Sequence, residues 1–317
     1  MTKKGRWLYY PGDVSLIATG EWEKDSDCVT CMIPEDRSVH GILKLMPDYT
    51  YSVLKIDAVF PVLHGKNGED GTIQGLLALS GIPYVGCDTI SSANCMDKTF
   101  THTILDHAGI RTAGWRAVYK YQLPVLAALV EECEQALGYP MFVKPANAGS
   151  SVGVNKAGTR EELVHAIKIA FAHDDKAVIE EMIHGREVEC AVLGNEQAVA
   201  SVPGEIEPSS EFYDYEDKYV NGTSRLYIPA RISAEAAEQV RRMALAAYRT
   251  LGCSGLARVD FFVCGDGAVV LNEINTLPGF TDISMYPKLL AADGISYPEL
   301  IDRLITLAIE RADEGDE

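Results

Sequence analysis

Residues 255–275 constrain the fold of this chain more than any other segment. Apolar and polar residues alternate on both sides of a Gly-Asp-Gly tripeptide at 265–267, which predicts an antiparallel hairpin. Alternation with a period of two places a polar pair on one face of each strand, namely Arg258 with Asp260 and Glu273 with Asn275. If the two faces coincide, two carboxylates, an amide and a guanidinium come together.

This polar set has two interpretations. Oxygen ligands of this kind suit Mg²⁺, which takes one or two protein carboxylates and leaves its other positions to water and phosphate. A salt-bridged hairpin face in contact with solvent is equally common. Residues 276–281 read Thr-Leu-Pro-Gly-Phe-Thr, a rigid turn whose backbone N–H groups can face an anion. The turn favours the anion-binding interpretation.

The rest of the chain predicts an α/β protein with an α+β C-terminal half. Apolar strands at 55–63 and 82–86 flank a helix at 72–79, which indicates a parallel layer. A second hairpin spans 188–202, and the stretch 205–225 is irregular. Other predicted helices cover 95–108, 125–137, 159–172, 234–251 and 297–311, and other strands cover 141–145 and 177–181. We expect three units, at residues 1–94, 95–183 and 184–317.

Composition excludes several classes of function. The chain has 317 residues with 28 Lys plus Arg and 46 Asp plus Glu, so its formal net charge of −18 repels nucleic acid. No apolar run approaches the roughly 20 residues that span a bilayer, and the basic N-terminus lacks the apolar core of a signal peptide. Eight scattered cysteines are typical of reduced thiols. We therefore expect a cytoplasmic protein without nucleic-acid or membrane partners.

Two further segments carry chemistry suited to a nucleotide. Lys144 ends a strand just before the small-residue loop 149–153, whose backbone can approach phosphate oxygens, although an ordinary flexible turn explains it equally well. The patterns GxxxxGK[ST] and GxGxxG are absent, which argues against a Walker-type ATPase and a Rossmann dehydrogenase. Glu180 and Glu187 flank a predicted hinge, a usual place for a base and ribose, although acidic strand ends are commoner.

Several short motifs occur in one order along the chain. They are Met96-Asp97-Lys98, Lys144, the loop 149–153, Glu180, Glu187, Lys218-Tyr219, Arg258-Val259-Asp260 and residues 273–279, Glu-Ile-Asn-Thr-Leu-Pro-Gly. Residues 64–71 add His-Gly-Lys-Asn-Gly-Glu-Asp-Gly. Together they resemble the ATP-grasp superfamily and, within it, the D-alanine–D-alanine ligase family. The resemblance covers essentially the whole chain and implies an ATP-grasp architecture, with ATP held between two antiparallel sheets.

The resemblance also implies a role for each matching residue. The residues that match ATP contacts are Lys98, Lys144, Ser151, Glu180, Glu181, Met182, Ile183, Glu187, Lys218, Phe262 and Asn272. Asp260, Glu273 and Asn275 match the ligands of two Mg²⁺ ions, for which Mn²⁺ is an alternative. The catalytic set is Arg258, Ser150, Tyr219 and Gly279, and the same four residues would contact the substrates together with His64, Ser284 and Met285.

The implied reaction is the ATP-dependent ligation of two D-alanines through an acyl phosphate, for peptidoglycan precursors. Residues 205–225, which carry Lys218 and Tyr219, are the expected lid, and the resemblance also implies a homodimer. Tyr219 favours an amine acceptor, and an apolar Met285 favours D-alanine over D-serine, because a buried hydroxyl would lack a partner. D-alanine–D-serine ligation is the alternative.

The N-terminus departs from the family pattern. Family members begin with a strand and a glycine-rich turn that carry Glu-His and then Val-Ser, and this chain starts after that point. We therefore expect a truncated N-terminal α/β domain and weaker binding of the first substrate. Two further alternatives are a nucleotide-binding remnant that makes no dipeptide and a different carboxylate–amine ligase of the same superfamily.

Overall fold

The computed structural model describes residues 1–2, 4–149, 152–208 and 224–315. Its first sheet is an antiparallel meander in the order β1-β2-β3-β4. The strands are β1 (Leu8–Tyr9), β2 (Val29–Met32), β3 (Gly41–Leu45) and β4 (Tyr51–Lys55). Helix α1 (Ser15–Thr19) and a 3-10 helix at Glu21–Lys24 join β1 to β2. Helix α2 (Thr72–Leu79) lies at its predicted position.

The parallel layer predicted in this region consists of one bridge. Val59 pairs with Tyr84 in parallel, and Val59 N donates to Pro83 O at 2.8 Å. The described residues 55–63 and 82–86 do not form the continuous strands that we predicted, because Pro61 and Pro83 have no N–H with which to extend a ladder. The meander in residues 8–55 was not predicted, since its strands are short and bury few side chains.

Helices α3 (Thr89–Met96) and α4 (Lys98–His107) replace the single helix predicted at 95–108. Asp97 separates them, because its side chain caps α4. Asp97 Oδ1 accepts from Thr99 N at 3.0 Å and from Phe100 N at 3.3 Å. The cap makes Lys98 the first residue of α4.

The second sheet is antiparallel and has the order β5-β8-β6-β7. Its strands are β5 (Trp115–Tyr119), β6 (Met141–Pro145), β7 (Asn155–Ala157) and β8 (Lys176–Glu181). A 3-10 helix at Lys120–Val125 leads into α5 (Leu126–Leu137), which packs with α6 (Arg160–Ala170) against the sheet. The Thr159 hydroxyl caps α6 by accepting from Glu162 N at 3.3 Å, as the sequence predicts.

The third sheet has the order β12-β11-β9-β13-β14, and a further strand, β10, pairs with β9. The strands are β9 (Gly185–Leu193), β10 (Val199–Ala200), β11 (Gly204–Glu207), β12 (Arg225–Tyr227), β13 (Leu256–Cys264) and β14 (Val269–Asn275). Both predicted hairpins form. Residues 205–207, which we predicted to be irregular, belong to β11, and residues 209–223 of the expected lid lie outside the described residues.

Helices cover the third sheet unequally. Helix α7 (Ala234–Thr250) packs on the face that contains Val259 and Phe261. Helices α8 (Met285–Ala292) and α9 (Tyr297–Gly315) pack on the other face, against Leu256. Further along that face, Asp260 borders a cavity instead of a helix. The incomplete helical cover therefore leaves Asp260 facing the cavity.

Candidate active site

A cavity of about 750 Å³ lies between the second and third sheets. This volume is typical of a small-molecule site. Lys144 Nζ, on the second sheet, donates to Asn272 Oδ1, on the third, at 3.3 Å. The cavity is lined by most of the described residues for which we predicted ATP or metal contacts, namely Lys98, Lys144, Glu180, Glu181, Met182, Ile183, Glu187, Asp260, Phe262, Asn272 and Glu273. The predicted cleft between Lys144 and the acidic hairpin is therefore present.

The acidic wall of the cavity is the β13–β14 hairpin. Asp260 pairs with Glu273 and Arg258 pairs with Asn275 in the strand register, so the two predicted polar faces coincide. Arg258 donates to both oxygens of Asp260, at 2.8 and 2.7 Å. Asn275 Nδ2 donates to Asp260 Oδ2 at 3.0 Å. Burial alone would lower the pKa of Arg258, but the surrounding carboxylates raise it well above its usual value. Arg258 therefore stays charged.

The donor atoms of the acidic wall fit a divalent cation that is bound together with phosphate. Asp260 and Glu273 supply carboxylate oxygens to one surface, and the side chain of Asn275 contacts Asp260. Mg²⁺ commonly takes one or two protein carboxylates and completes its shell with substrate oxygens and water. Within the described part of the chain, no cluster of three or more His, Cys, Asp or Glu side chains could hold a metal ion. A cation here would therefore depend on phosphate and water for its remaining ligands.

The basic wall of the cavity consists of Lys98 and Lys144, with Glu180 beside them. Lys144 Nζ lies 2.6 Å from Glu180 Oε2, and Lys98 Nζ donates to Ala148 O at 2.8 Å. Burial alone would raise the pKa of Glu180, but the Lys144 ammonium and a hydrogen bond from His102 lower it to about 2. Burial alone would lower the pKa of Lys144, and Glu180 raises it instead. Glu180 thus keeps Lys144 protonated inside the fold.

The connection from β8 to β9 forms a further part of the cavity lining. Glu181 N donates to Gly114 O at 2.9 Å, and Glu181 Oε1 accepts from Gly114 N at 2.7 Å. Met182 N donates to Pro140 O at 3.2 Å. These bonds hold the end of β8 and the start of the connection against neighbouring chain segments, which keeps this edge of the cavity in place.

Comparisons with known proteins agree with this geometry. The family model described as D-ala D-ala ligase N-terminus matches residues 1–87, and the model described as D-ala D-ala ligase C-terminus matches residues 104–306. A D-alanine–D-alanine ligase of Acetivibrio thermocellus is 50% identical over 329 residues, which cover 99% of this chain and 87% of that protein. The chain belongs to the D-alanine–D-alanine ligase family.

Solved structures with high similarity extend the match to the fold. The VanG D-Ala:D-Ser ligase of Enterococcus faecalis is 44% identical with a TM-score of 0.88, and the match covers 97% of this chain and 88% of that one. The D-alanine–D-alanine ligase of Coxiella burnetii is 36% identical with a TM-score of 0.85, over 99% and 84% of the two chains. The chain therefore has the ATP-grasp architecture of this family of ATP-dependent ligases.

Two of the residues that the D-alanine–D-alanine ligase family pattern assigns to substrate contacts, His64 and Met285, lie near the turn 276–281. His64 makes a hydrogen bond with the backbone of Leu277, and desolvation still lowers the pKa of His64. Met285, the first residue of α8, is only 4% exposed and belongs to a buried apolar cluster with Leu289. His64 and Met285 are both described by the structure, and neither borders the 750 Å³ cavity. Their contact with a substrate stays a prediction.

Gly279 and Ser284 form a tight contact within the same turn. A Cβ atom at Gly279 would lie 2.6 Å from Ser284 Oγ, closer than packed atoms allow. Ser284 Oγ accepts from Thr281 N at 3.0 Å and lies 2.9 Å from Thr281 Oγ1. A side chain at 279 would therefore displace the Ser284 hydroxyl, which helps to shape the turn.

Four of the predicted site residues lie outside the described residues: Ser150, Ser151, Lys218 and Tyr219.

No helix in the described part of the chain is long and apolar enough to cross a bilayer. The eight cysteines are free thiols.

The structure adds two carboxylates that our sequence analysis did not single out. Burial raises the pKa of Glu69 to about 7, although a hydrogen bond from Gly65 N opposes this shift. Glu189 lies opposite Asp260 in the β9–β13 register and 3.0 Å from Arg258 Nε. Alternation in β9 puts Glu189 on the same face as Glu187, so that signal was present in the sequence. The burial of Glu69 depends on tertiary contacts and has no comparable local signal.

Proposed function

We propose that this chain joins two D-alanines at the expense of ATP, through an acyl phosphate, to supply peptidoglycan precursors. The observation that supports this most strongly is the pairing of the two cavity walls, with Lys144 on one side and the Asp260–Glu273 pair on the other. A triphosphate needs cationic groups around it, and family membership supplies the substrate class.

The first step requires the carboxylate of one D-alanine to attack the γ-phosphorus of ATP while ADP leaves. Lys98 and Lys144 hold the phosphate oxygens and offset the charge that moves toward ADP. Mg²⁺ held by Asp260, Glu273 and Asn275 would add Lewis-acid stabilisation of the phosphoryl oxygens. The backbone at 180–183 holds adenine, and Glu187 takes the ribose.

The second step requires the amine of the other D-alanine to attack the acyl-phosphate carbonyl, after which phosphate leaves. Negative charge develops on the carbonyl oxygen. Arg258 and the N–H of Gly279 stabilise this oxyanion, and Ser284 binds the carboxylate of the acceptor. Ser150, Tyr219 and His64 position the first D-alanine. Closure of the segment that carries Lys218 and Tyr219 keeps water from the intermediate.

The experiment that tests this function is phosphate release by the full chain with ATP, Mg²⁺ and D-alanine. We expect release that depends on D-alanine and a D-alanyl-D-alanine product detected by mass spectrometry. ATP binding without any D-alanine-dependent release would contradict the proposal and identify a non-catalytic nucleotide-binding protein. Turnover only with a different acid would identify another carboxylate–amine ligase.

D-Alanine–D-serine ligation is a second candidate, because the similar structure with a TM-score of 0.88 is that of the VanG D-Ala:D-Ser ligase. Apolar Met285 favours D-alanine as the acceptor, since a buried hydroxyl would lose its hydrogen bonds to water. Competition between equal concentrations of D-alanine and D-serine decides the question. We expect the D-alanine dipeptide to dominate, and a dominant mixed dipeptide would reverse the assignment.

We further propose a cytoplasmic homodimer built from the units 1–94, 95–183 and 184–317. Side chains in the first sheet, including Leu45, Tyr51 and Val53, are 38%, 68% and 41% exposed, and exposed apolar side chains of this kind suit a protein interface. Sedimentation equilibrium tests the dimer, and a monomer at micromolar concentration would contradict it.

A further inference from the structure

Helix α4 contributes two side chains to the basic wall and its surroundings, Lys98 and His102. Lys98, His102 and Asp106 recur every four residues along α4 and therefore share one face of the helix. Lys98 borders the cavity. His102 is only 3% exposed, and its Nε2 lies 3.0 Å from Glu180 Oε1. Glu180 is thus contacted by Lys144 at one oxygen and by His102 at the other.

The proton on His102 Nε2 follows from its partner. Glu180 has a pKa of about 2, so at neutral pH it is an ionised carboxylate that only accepts hydrogen bonds. His102 Nε2 must therefore carry a hydrogen and donate a hydrogen bond to Glu180 Oε1. A hydrogen bond from a nitrogen to a buried carboxylate is among the stronger ones in proteins.

The other side of the imidazole is held as well. His102 Nδ1 lies 3.0 Å from Thr112 Oγ1, and Thr112 Oγ1 donates to Asp106 Oδ1 at 3.2 Å. Trp115 Nε1 donates to Asp106 Oδ2 at 2.8 Å, and the Trp115 ring stacks on His102 with centroids 5.1 Å apart and planes 16° apart. These contacts restrict both the position and the rotation of the imidazole.

We propose that His102 is a positioning residue for ATP. Its Nε2–H holds one oxygen of Glu180, so that the carboxylate contacts a single ammonium and keeps Lys144 directed at the triphosphate. Without this bond the carboxylate is free to turn and pair with both lysines. Lys98 is close enough for such a pairing, because the Glu180 charge acts on its ammonium as well. Each such pairing removes a cation from the phosphates. The inference deepens the proposed function, since it takes the cavity to be the ATP site.

Two substitutions separate the hydrogen bond from the packing of the ring. His102→Phe keeps a flat ring against Trp115 but has no donor, whereas His102→Gln places an amide N–H close to the position of Nε2. His107→Phe, at an exposed position of the same helix, is the matched control. ATP affinity is measured by titration calorimetry of the full chain with Mg²⁺ and no D-alanine, and KM and kcat are measured alongside.

We expect His102→Phe to weaken ATP binding about tenfold, the effect of one charged hydrogen bond, with KM for D-alanine changed less than about twofold. His102→Gln should recover most of the affinity, and His107→Phe should match the unchanged protein. In a Glu180→Gln background, His102→Phe should cost less than about twofold, because its effect passes through the carboxylate.

Unchanged ATP affinity in His102→Phe, or a His102→Gln variant as weak as His102→Phe, would overturn the inference. If His102→Phe does not fold, Thr112→Val replaces it in the test, because this variant removes the hydroxyl that contacts His102 Nδ1. Thr112→Val should weaken ATP binding about threefold, and unchanged ATP affinity in this variant would also overturn the inference. The proposed function fails separately, if the unchanged chain releases no phosphate in response to D-alanine.

Discussion

The two walls of the cavity assemble their charges in different ways. The acidic wall comes from one hairpin, where Arg258 contacts Asp260 within β13 and Asn275 contacts Asp260 from the adjacent β14. The basic wall comes from three separate elements, because Lys98 begins α4, Lys144 lies in β6 and Glu180 lies in β8. The acidic wall therefore depends on local strand register, whereas the basic wall depends on the docking of a helix against a sheet.

The largest expected effect concerns the acidic wall. Asp260→Asn keeps the shape of the side chain but removes the negative charge that would bind the cation. We expect kcat/KM to fall at least about 10³-fold, measured as phosphate release with ATP, Mg²⁺ and D-alanine. Asp266→Asn, in the turn of the same hairpin, is the control and should change activity less than about twofold. Activity within tenfold of normal in Asp260→Asn would exclude the proposed metal role.

The next effect concerns the ion pair of the basic wall. Lys144→Met leaves Glu180, which is 5% exposed, without the ammonium 2.6 Å away. We expect the free energy of unfolding in urea to fall by about 3 kcal/mol, because a buried carboxylate that has lost its ammonium partner is costly even when one hydrogen bond remains. Adding Glu180→Gln should restore most of the stability and none of the ATP turnover. If the double variant regained turnover, Lys144 would be structural only.

A smaller effect concerns Glu69, which lies near both walls. Its pKa of about 7 exceeds the ordinary value of 4.5, so the folded state binds more protons than the unfolded state between these pH values. Stability therefore falls as pH rises through this window. We expect Glu69→Gln to be more stable than the unchanged chain by roughly 2 kcal/mol at pH 8 and equal to it near pH 4. The free energy of unfolding is measured in urea for both proteins at both pH values. The same difference between the two proteins at pH 4 and pH 8 would contradict this pKa shift.

The smallest effect concerns the turn next to the acidic wall. Gly279→Ala would place a Cβ atom 2.6 Å from Ser284 Oγ, so the Ser284 side chain and its hydrogen bond to Thr281 N must shift. We expect kcat to fall about tenfold, because an oxyanion donor works only at its correct distance. Gly265→Ala is the control, because an added Cβ there would have no heavy atom within 4 Å apart from its chain neighbours, and it should leave kcat unchanged. Equal kcat values for the two variants would remove Gly279 from the oxyanion site.

The two walls also differ in how far local sequence predicts them. The register that joins Asp260 to Glu273 follows from period-two alternation around one tight turn, so local sequence predicted it. Helices with clear caps or glycine stops, such as α6 and α7, were also found close to their predicted positions. The strands in residues 8–55 were not predicted, because they are short and pair without a strong apolar pattern.

The amino-acid sequence alone determined the order of the motifs, which carries the family resemblance, and the faces of the hairpin, which depend on neighbours a few positions away. Tertiary structure alone decided that His102 contacts Glu180 across 78 positions of the chain and that Glu69 is desolvated. Such contacts join elements that no local period relates. Burial in a specific environment, which sets their protonation and geometry, exists only after the elements have packed.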